Sequence, residues 1–268
     1  MNVTTDIAVR QAYAADASGL ACLPDAVARP TSADEVRELL RDASSSGTGV
    51  TAAGGQSSMT GGSICEGGIL LSLRGMDRII ELDHENARAW VEPGIGVGDL
   101  KRKLAAEGFL FAPDPTSEEE ASLGGAIACN ASGARSLRYG ATRSHVTALK
   151  VVKADGEIVT VRRTRLEKNT VGYAPVQDQI DWFIGSEGTL GVVVAAELAL
   201  LPLPEKVTGM GFPFDDERDA FAFVVSAREA TATGKVAPRC LEILDARALE
   251  LVREQPDGAQ WRGRAFVY

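Results

Sequence analysis

Apolar positions first fall at helical spacing over residues 33–46, where Val36, Leu39, Leu40 and Ala43 share one face. Ser32 precedes that run and Glu35 follows three residues later, the pattern of a capping box. Gly47 and Gly49 predict the helix end. Val50 and Thr51 open a short strand at 50–53, and the apolar run Ile69, Leu70, Leu71 predicts a buried strand at 68–73. The segment before this strand–helix–strand unit, residues 1–22, shows no clear period. After it, Ile79–Asp83 and residues 87–92 alternate as two strands joined by a short polar turn. Leu100, Leu104 and Ala105 predict a helix ended by Gly108. Alternating residues around Asp155-Gly156 predict a hairpin of 149–154 and 157–161. Residues 168–173 read as a polar turn. A strand follows at 192–201, and Pro202 and Pro204 mark a boundary. Beyond it the pattern predicts a strand at 206–213. A helix runs from Asp215 or Asp216 to about residue 229, with Phe221, Val224 and Val225 on its apolar face. A strand at 241–244 and a helix capped by Asp245, to about residue 254, complete the tail. That tail is expected to open an α+β layer and stop at Tyr268 without completing a sheet.

Composition narrows the class. A chain of 268 residues, 45% apolar, can bury more than one ordinary core, so two domains or lobes are expected. A net charge of −9 argues against a nucleic-acid partner, which favours clustered Lys and Arg. The cysteines, Cys22, Cys65, Cys129 and Cys240, show no CxxC spacing, so a reduced, cytoplasmic setting is expected. No charged-then-apolar leader is read at the start, and no apolar run approaches the roughly 20 residues of a spanning helix.

The densest chemistry lies at 52–63, AAGGQSSMTGGS. Glycines let a backbone turn tightly and approach a ligand, and successive N–H groups in such a turn form an anion-binding nest. Ser57, Ser58 and Gln56 add donors. The stretch reads either as a pyrophosphate cradle or as a flexible glycine-rich loop. Gly94-Ile95-Gly96-Val97-Gly98, after a strand and before a helix, invites a dinucleotide-binding reading of the Rossmann type. Asp99 stands where the third glycine belongs, and a carboxylate there would repel a pyrophosphate. A tight turn capped by Asp99 is preferred. Residues 112–145 are rich in small residues. Ser122 can cap a short helix to about 130, and Gly124 and Gly125 would let it approach a ligand. A packing helix accounts for those glycines, but not for Asn130, Ser132 and Ser136.

Four stretches then stand in order: AAGGQSSMTGG (52–62), DPTSEEEASLGGAIACNASG (114–133), SLRYG (136–140) and GSEGTLGVV (185–193). Together they resemble the FAD-linked oxidase family with a vanillyl-alcohol-oxidase or PCMH-type flavin domain, nearest its D-lactate, glycolate and 2-hydroxyacid dehydrogenase branch. The resemblance covers roughly residues 25–205. It implies an α+β fold: an FAD-binding PCMH-type domain at 1–204, of two α+β subdomains (about 25–77 and 78–204), then the incomplete start of a substrate or cap domain at 205–268. It implies that Gly54, Gly55, Gln56, Ser57, Ser58 and Met59 hold the FAD pyrophosphate. Pro115, Thr116, Ser117, Ser122, Gly124 and Gly125 would line the diphosphate and flavin side, continued by Cys129, Asn130 and Ser132. Glu187, Gly188, Thr189, Gly191 and Val192 would meet the adenosine half.

Two departures from the family pattern matter. Some relatives attach FAD to a histidine in the pyrophosphate loop. Gln56 stands at that place, so non-covalent FAD is expected. The family's catalytic, often metal-binding, histidine motif has no counterpart: the chain has only His84 and His145. His84 is read as a surface residue and His145 as structural, with no metal expected. Arg135, Arg138 and Arg143 can offset phosphate or substrate carboxylate charge, or pair with nearby acids; the pairing is preferred. Glu118–Glu120 is read as a solvated turn, and Cys65 and Cys129 as small buried hydrophobes.

The expected function is the FAD-binding part of an oxidoreductase that oxidises a 2-hydroxy acid, such as D-lactate or glycolate, by hydride transfer to FAD. The catalytic base and the electron acceptor are unassigned. The alternative is a binding module or fragment without turnover of its own, needing a missing cap or a partner subunit; a homo-oligomer is left open. A nicotinamide enzyme resting on residues 94–98 is the third reading.

Overall fold

The computed structural model describes residues 2–163, 168, 170, 178–256 and 261–268. The chain divides into a larger unit (residues 1–131 and 141–203) and a smaller one (132–140 and 204–268).

The larger unit opens with β1 (Asn2–Thr4) and α1 (Ile7–Ala12), then β2 (Ala26–Arg29), α2 (Ala33–Ser46), β3 (Val50–Ala53) and β4 (Ile69–Ser72). These strands form one sheet in the order β1-β2-β4-β3, with β2, β4 and β3 parallel and β1 antiparallel at the edge. The aperiodic N-terminal segment thus supplies an edge strand and a helix, and β2 is a third element that the pattern did not announce. Helix α2 forms as its sequence predicts. Ser32 Oγ accepts from Glu35 N at 3.3 Å, and Gly47 ends the helix in the left-handed conformation. The Glu35 carboxylate accepts from Thr31 N at 2.7 Å, one residue before the cap itself.

A second sheet follows, of β5 (Ile79–Asp83), β6 (Arg88–Val91), β8 (Val146–Val152), β9 (Ile158–Arg162) and β10 (Val192–Ala199), antiparallel in the order β5-β6-β10-β8-β9. Between β6 and β8 lie α3 (Val97–Ala106), β7 (Phe109–Leu110) and α4 (Leu123–Ala128), and β7 pairs with β11 (Leu201–Pro202). Helix α2 is clamped between the sheets: Val36, Leu39 and Leu40 pack with Ala28 and Leu71 of the first and Val152, Val192 and Val194 of the second. A register shift between Val193 and Ala195 turns β10 over. Before it, Val192 and Val194 face α2; after it, Ala196 and Leu198 join Leu100, Leu104, Leu123 and Ile127 under the other face. The predicted 168–173 turn lies for the most part outside the described residues.

The smaller unit holds β12 (Phe212–Phe214), α5 (Glu217–Ala232), β13 (Ile243–Leu244), α6 (Ala246–Arg253) and β14 (Ala265–Val267). Three points correct the sequence reading. The strand expected at 206–213 forms only at β12. The tail makes a three-stranded sheet, β12-β14-β13, because β14, which the pattern missed, pairs on both sides. On α5, Ala220 is buried while Phe221 and Val225 are 54% and 56% exposed.

Candidate functional site: a small-residue cleft in the larger unit

Parallel strand β3 ends at Ala53, and the chain there enters the glycine-rich loop. Ligand loops in open parallel sheets sit at such carboxyl ends. Arg74 fixes the loop from outside, donating to Gly54 O at 3.0 Å through Nε and to Gly55 O at 2.9 Å through Nη2. A trans peptide sets its C=O and N–H antiparallel, so the N–H groups of Gly55 and Gln56 point away from Arg74. Among the described residues, the N–H groups of Gly55, Gln56, Ser57 and Ser58 meet no protein acceptor. Gln56 holds a positive φ of 56°, and its amide donates to Tyr13 O, Ala15 O and Ser63 O at 3.0–3.3 Å. Its side chain is therefore spent tying the N-terminal segment to the loop, and only its backbone is left for a ligand.

The facing wall is the start of α4. Ser122 Oγ accepts from Gly125 N at 3.2 Å, the predicted cap. The two walls touch: a Cβ built on Gly54 would lie 2.1 Å from Ser122 Oγ, and one on Gly55 2.0 Å from Glu120 O. At Gly55, where the neighbouring atoms are main chain, only glycine permits this approach; at Gly54 a side chain would force the Ser122 hydroxyl to turn. Replacing Ser122 by alanine is expected to lower stability by about 1 kcal/mol, the usual value of an N-cap, measured as a shift of the urea midpoint with an unchanged slope.

The third wall is the turn at 183–193. Gly185 N donates to Ile127 O and Glu187 N to Ala128 O, both at 3.0 Å, which seats the turn on the end of α4. Thr60 Oγ1 donates to Glu187 Oε2 at 2.9 Å, closing the ring back to the first loop. Behind this turn, Asp181 is held by two arginines. Arg143 Nη1 reaches its Oδ1 at 2.8 Å, and Arg163 Nη1 its Oδ2 at 3.0 Å. The Arg163 hydrogen bond, helped by Arg143, keeps the Asp181 carboxyl below its ordinary range against the opposing effect of burial.

The three walls enclose a cleft with about 1160 Å³ of empty space, open solvent at its mouth included. Gly54, Gly55, Gln56, Ser57, Ser58, Pro115, Ser117, Ser122, Gly124, Gly125, Cys129, Glu187, Gly188, Gly191 and Val192 line it. Five expected residues do not. Met59 is 81% exposed. Thr116 is exposed on the surface, and Ser132 belongs to the smaller unit. Asn130 turns its Oδ1 to Arg143 N, and the Thr189 hydroxyl caps Ser186 O. Residues not anticipated include Thr60, Leu73, Pro93, Phe183 and Ser186. Phe183 and Ser186 adjoin or belong to the GSEGTLG stretch, so only their side-chain direction was hidden.

The expectations for Cys129, for Glu118–Glu120 and for an Asp99 cap are corrected. Cys129 lines the cleft and is exposed instead of packing as a buried hydrophobe; partial burial still raises its thiol pKa. Glu118 pairs with Lys101 and Glu119 with Arg102, so the acidic run is anchored to α3 and not merely solvated. The glycine turn at 94–98 is no phosphate site. Val97 N and Gly98 N at the start of α3 are taken by Ala121 O and Glu118 O, at 2.8 and 3.1 Å. The cap of α3 is Gly96, and Asp99 pairs with Arg102 instead of capping. His84 lies on the surface against Phe109 and Glu107, and His145 is buried beside Phe111.

The arrangement fits a dinucleotide. Bare N–H groups and hydroxyls meet on glycine backbones, and side chains small enough to admit a long ligand surround them. Comparison with known proteins agrees. The FAD binding domain family matches residues 24–162. Glycolate oxidase subunit GlcD of Bacillus subtilis (strain 168) is 36% identical over 233 residues, which are 87% of this chain and 48% of the relative. A D-lactate dehydrogenase of Archaeoglobus fulgidus is 34% identical over 89% of this chain and 51% of its own length. The chain thus spans about half the length of the curated relatives it matches. A solved alkyldihydroxyacetonephosphate synthase superposes over 93% of this chain and 47% of its own, with a TM-score of 0.76 and 24% identity, and so shares the fold. With the family match covering more than half of its residues, the chain belongs to the FAD-binding-domain family of FAD-linked oxidases, and FAD is its cofactor.

Proposed function

We propose that this chain is the FAD-binding part of a flavin-dependent dehydrogenase or oxidase acting on a 2-hydroxy acid such as D-lactate or glycolate, working in the cytoplasm. The observation that carries the reading is the three-walled cleft, in which Gly54 lies against the Ser122 hydroxyl and Gly55 approaches the Glu120 main chain too closely for any side chain. Bound there, FAD supplies a two-electron acceptor, and the protein supplies orientation and electrostatics. The N–H groups of Gly55 to Ser58, with the Ser57 and Ser58 hydroxyls, would hold the pyrophosphate. Gly124, Gly125 and Cys129 would line one flank, and Glu187 to Val192 the other. Residues 1–204 would form this domain, in subdomains of about 25–77 and 78–204, with 205–268 the start of a substrate cap. Gln56, at the place where some relatives carry a linking histidine, has its amide engaged elsewhere, which supports non-covalent attachment.

The test is the absorbance spectrum of the purified chain. Flavin bands are expected, and acid precipitation should release all of the flavin into the supernatant. A colourless protein that takes up no FAD on titration refutes the reading; flavin left in the pellet refutes non-covalent attachment.

A second reading is a module without turnover of its own, which needs a cap or partner subunit for the catalytic base and works with an electron acceptor yet to be named. Its support is that neither histidine lines the cleft, and that the chain spans about half the length of the relatives it matches. Steady turnover of D-lactate or glycolate with a dye acceptor, by this chain alone, would refute it.

A further inference from the structure

In a chain with 37 acidic and 28 basic residues, a guanidinium has carboxylates to spare. Arg78, Arg88, Arg102, Arg143, Arg162 and Arg163 each hold one. Arg138 and Arg239, both in the smaller unit, do not. Each places its guanidinium carbon 5.6 Å from the centroid of the same ring, Tyr139. The two cations therefore lie within about 11 Å of one another, close to one Debye length in 0.1 M salt. Arg138 Nη1 donates to Ala237 O at 2.8 Å, which ties the helical turn at Ser136–Tyr139 to the segment carrying Arg239. Among the described residues neither arginine forms an ion pair with a carboxylate, and Arg239 Nε is buried with no acceptor.

A buried donor left unpaired is destabilising, and so are two like charges gathered on one ring. An oxyanion on the outer nitrogens of the two guanidiniums offsets the gathered positive charge. A guanidinium offers five donors in a fork that matches a carboxylate, and Arg138 has committed one of them while Arg239 has committed none to a described residue. The ring of Tyr139 orients both forks through cation–π contact. We propose that Arg138 and Arg239, set on Tyr139, form a binding site for the carboxylate of a small organic acid. The choice of carboxylate over phosphate rests on the 2-hydroxy-acid reading above; the anion site itself rests on the two arginines.

The test is calorimetric titration of the purified 268-residue chain with D-lactate, lactamide and inorganic phosphate, with the flavin absorbance of each sample recorded alongside. D-lactate is expected to bind and the neutral lactamide not to. Arg239→Gln and Arg138→Gln should each weaken D-lactate binding at least tenfold. Their flavin content and circular dichroism should match the parent, and Arg239→Gln, which removes the unpaired donor and one of the two like charges, should not lower the thermal midpoint. D-lactate binding that is equal in parent and variants, or absent in the parent, overturns the proposal. Phosphate bound more tightly than D-lactate, with the loss falling on the same arginines, overturns the carboxylate assignment. Arginine-dependent D-lactate binding by a chain that takes up no flavin would sustain this site while the flavin reading fails.

Discussion

Gly55→Ala is expected to abolish flavin retention and to destabilise the larger unit by about 3 kcal/mol, the upper end of ordinary overpacking. The added Cβ would lie 2.0 Å from Glu120 O, 3.0 Å from Glu120 C and 3.1 Å from Ala121 Cα. All three are main-chain atoms, so no side-chain rotation relieves the clash. The loop must retreat from the 120–125 segment, and the Arg74 hydrogen bonds that aim its peptides must lengthen. Each 1.4 kcal/mol lost from binding is tenfold in affinity, so loss of the nest geometry alone is expected to weaken FAD at least a hundredfold. Gly49→Ala is the control: its Cβ would meet nothing within 4 Å, and its φ is not positive. It should change stability by less than about 0.5 kcal/mol. Thermal midpoints and FAD titration of the two variants check the pair, and equal flavin affinity in both would refute this account of the cleft.

The same glycines show how far a sequence can be read. Periodicity found α2 and its four core residues because an amphipathic helix writes its burial at i, i+3, i+4 and i+7. Asp155-Gly156 found its hairpin because few residues accept that turn, and Gly156 does sit at φ +81°. What escaped is what depends on distant partners. β2 and β14 are short and take their identity from the strands beside them. The outward face of α5 looked like a core face because Phe221 and Val225 keep helical spacing whether or not anything covers them. Most of the cleft residues were legible as an ordered set of small-residue motifs. The direction of each side chain was not: Met59 and Thr116 carry the right neighbours and face solvent, and the Gln56 amide turns to Tyr13 O and Ala15 O of the N-terminal segment and to Ser63 O of its own loop. Arg74 escaped altogether. A lone arginine after a strand carries no local signal, and its task of aiming the Gly54 and Gly55 peptides exists only in three dimensions.

Asp181 is the second position where one change should have a large effect. Its side chain is 10% exposed and lies between Arg143 and Arg163, whose own side chains are 34% and 23% exposed. Asp181→Asn keeps the shape and removes the charge, leaving Arg143 without its counterion and Arg163 with only Asp178, 3.6 Å away. Breaking a fully buried pair in this way is worth 3–5 kcal/mol, so about 3 kcal/mol is expected where the arginines keep some water. The damage should reach the cleft, because Arg143 also donates to Ile184 O at 2.5 Å and its N–H to Asn130 Oδ1 at 2.9 Å. Those bonds hold the 183–188 turn against the end of α4, and a slackened turn should weaken FAD while leaving the Gly55 loop intact. The sign of the pH dependence follows from the lowered carboxyl. Because the folded state holds Asp181 ionised below the ordinary value of 3.8, its stabilisation is complete above that value and is lost as pH falls through the lower, folded-state value. Denaturation from pH 7 down to pH 2 should therefore show the parent's advantage over Asp181→Asn constant near neutrality and shrinking only below about pH 4. An advantage that persists undiminished at pH 2 would show that the carboxylate's charge is not what holds the turn.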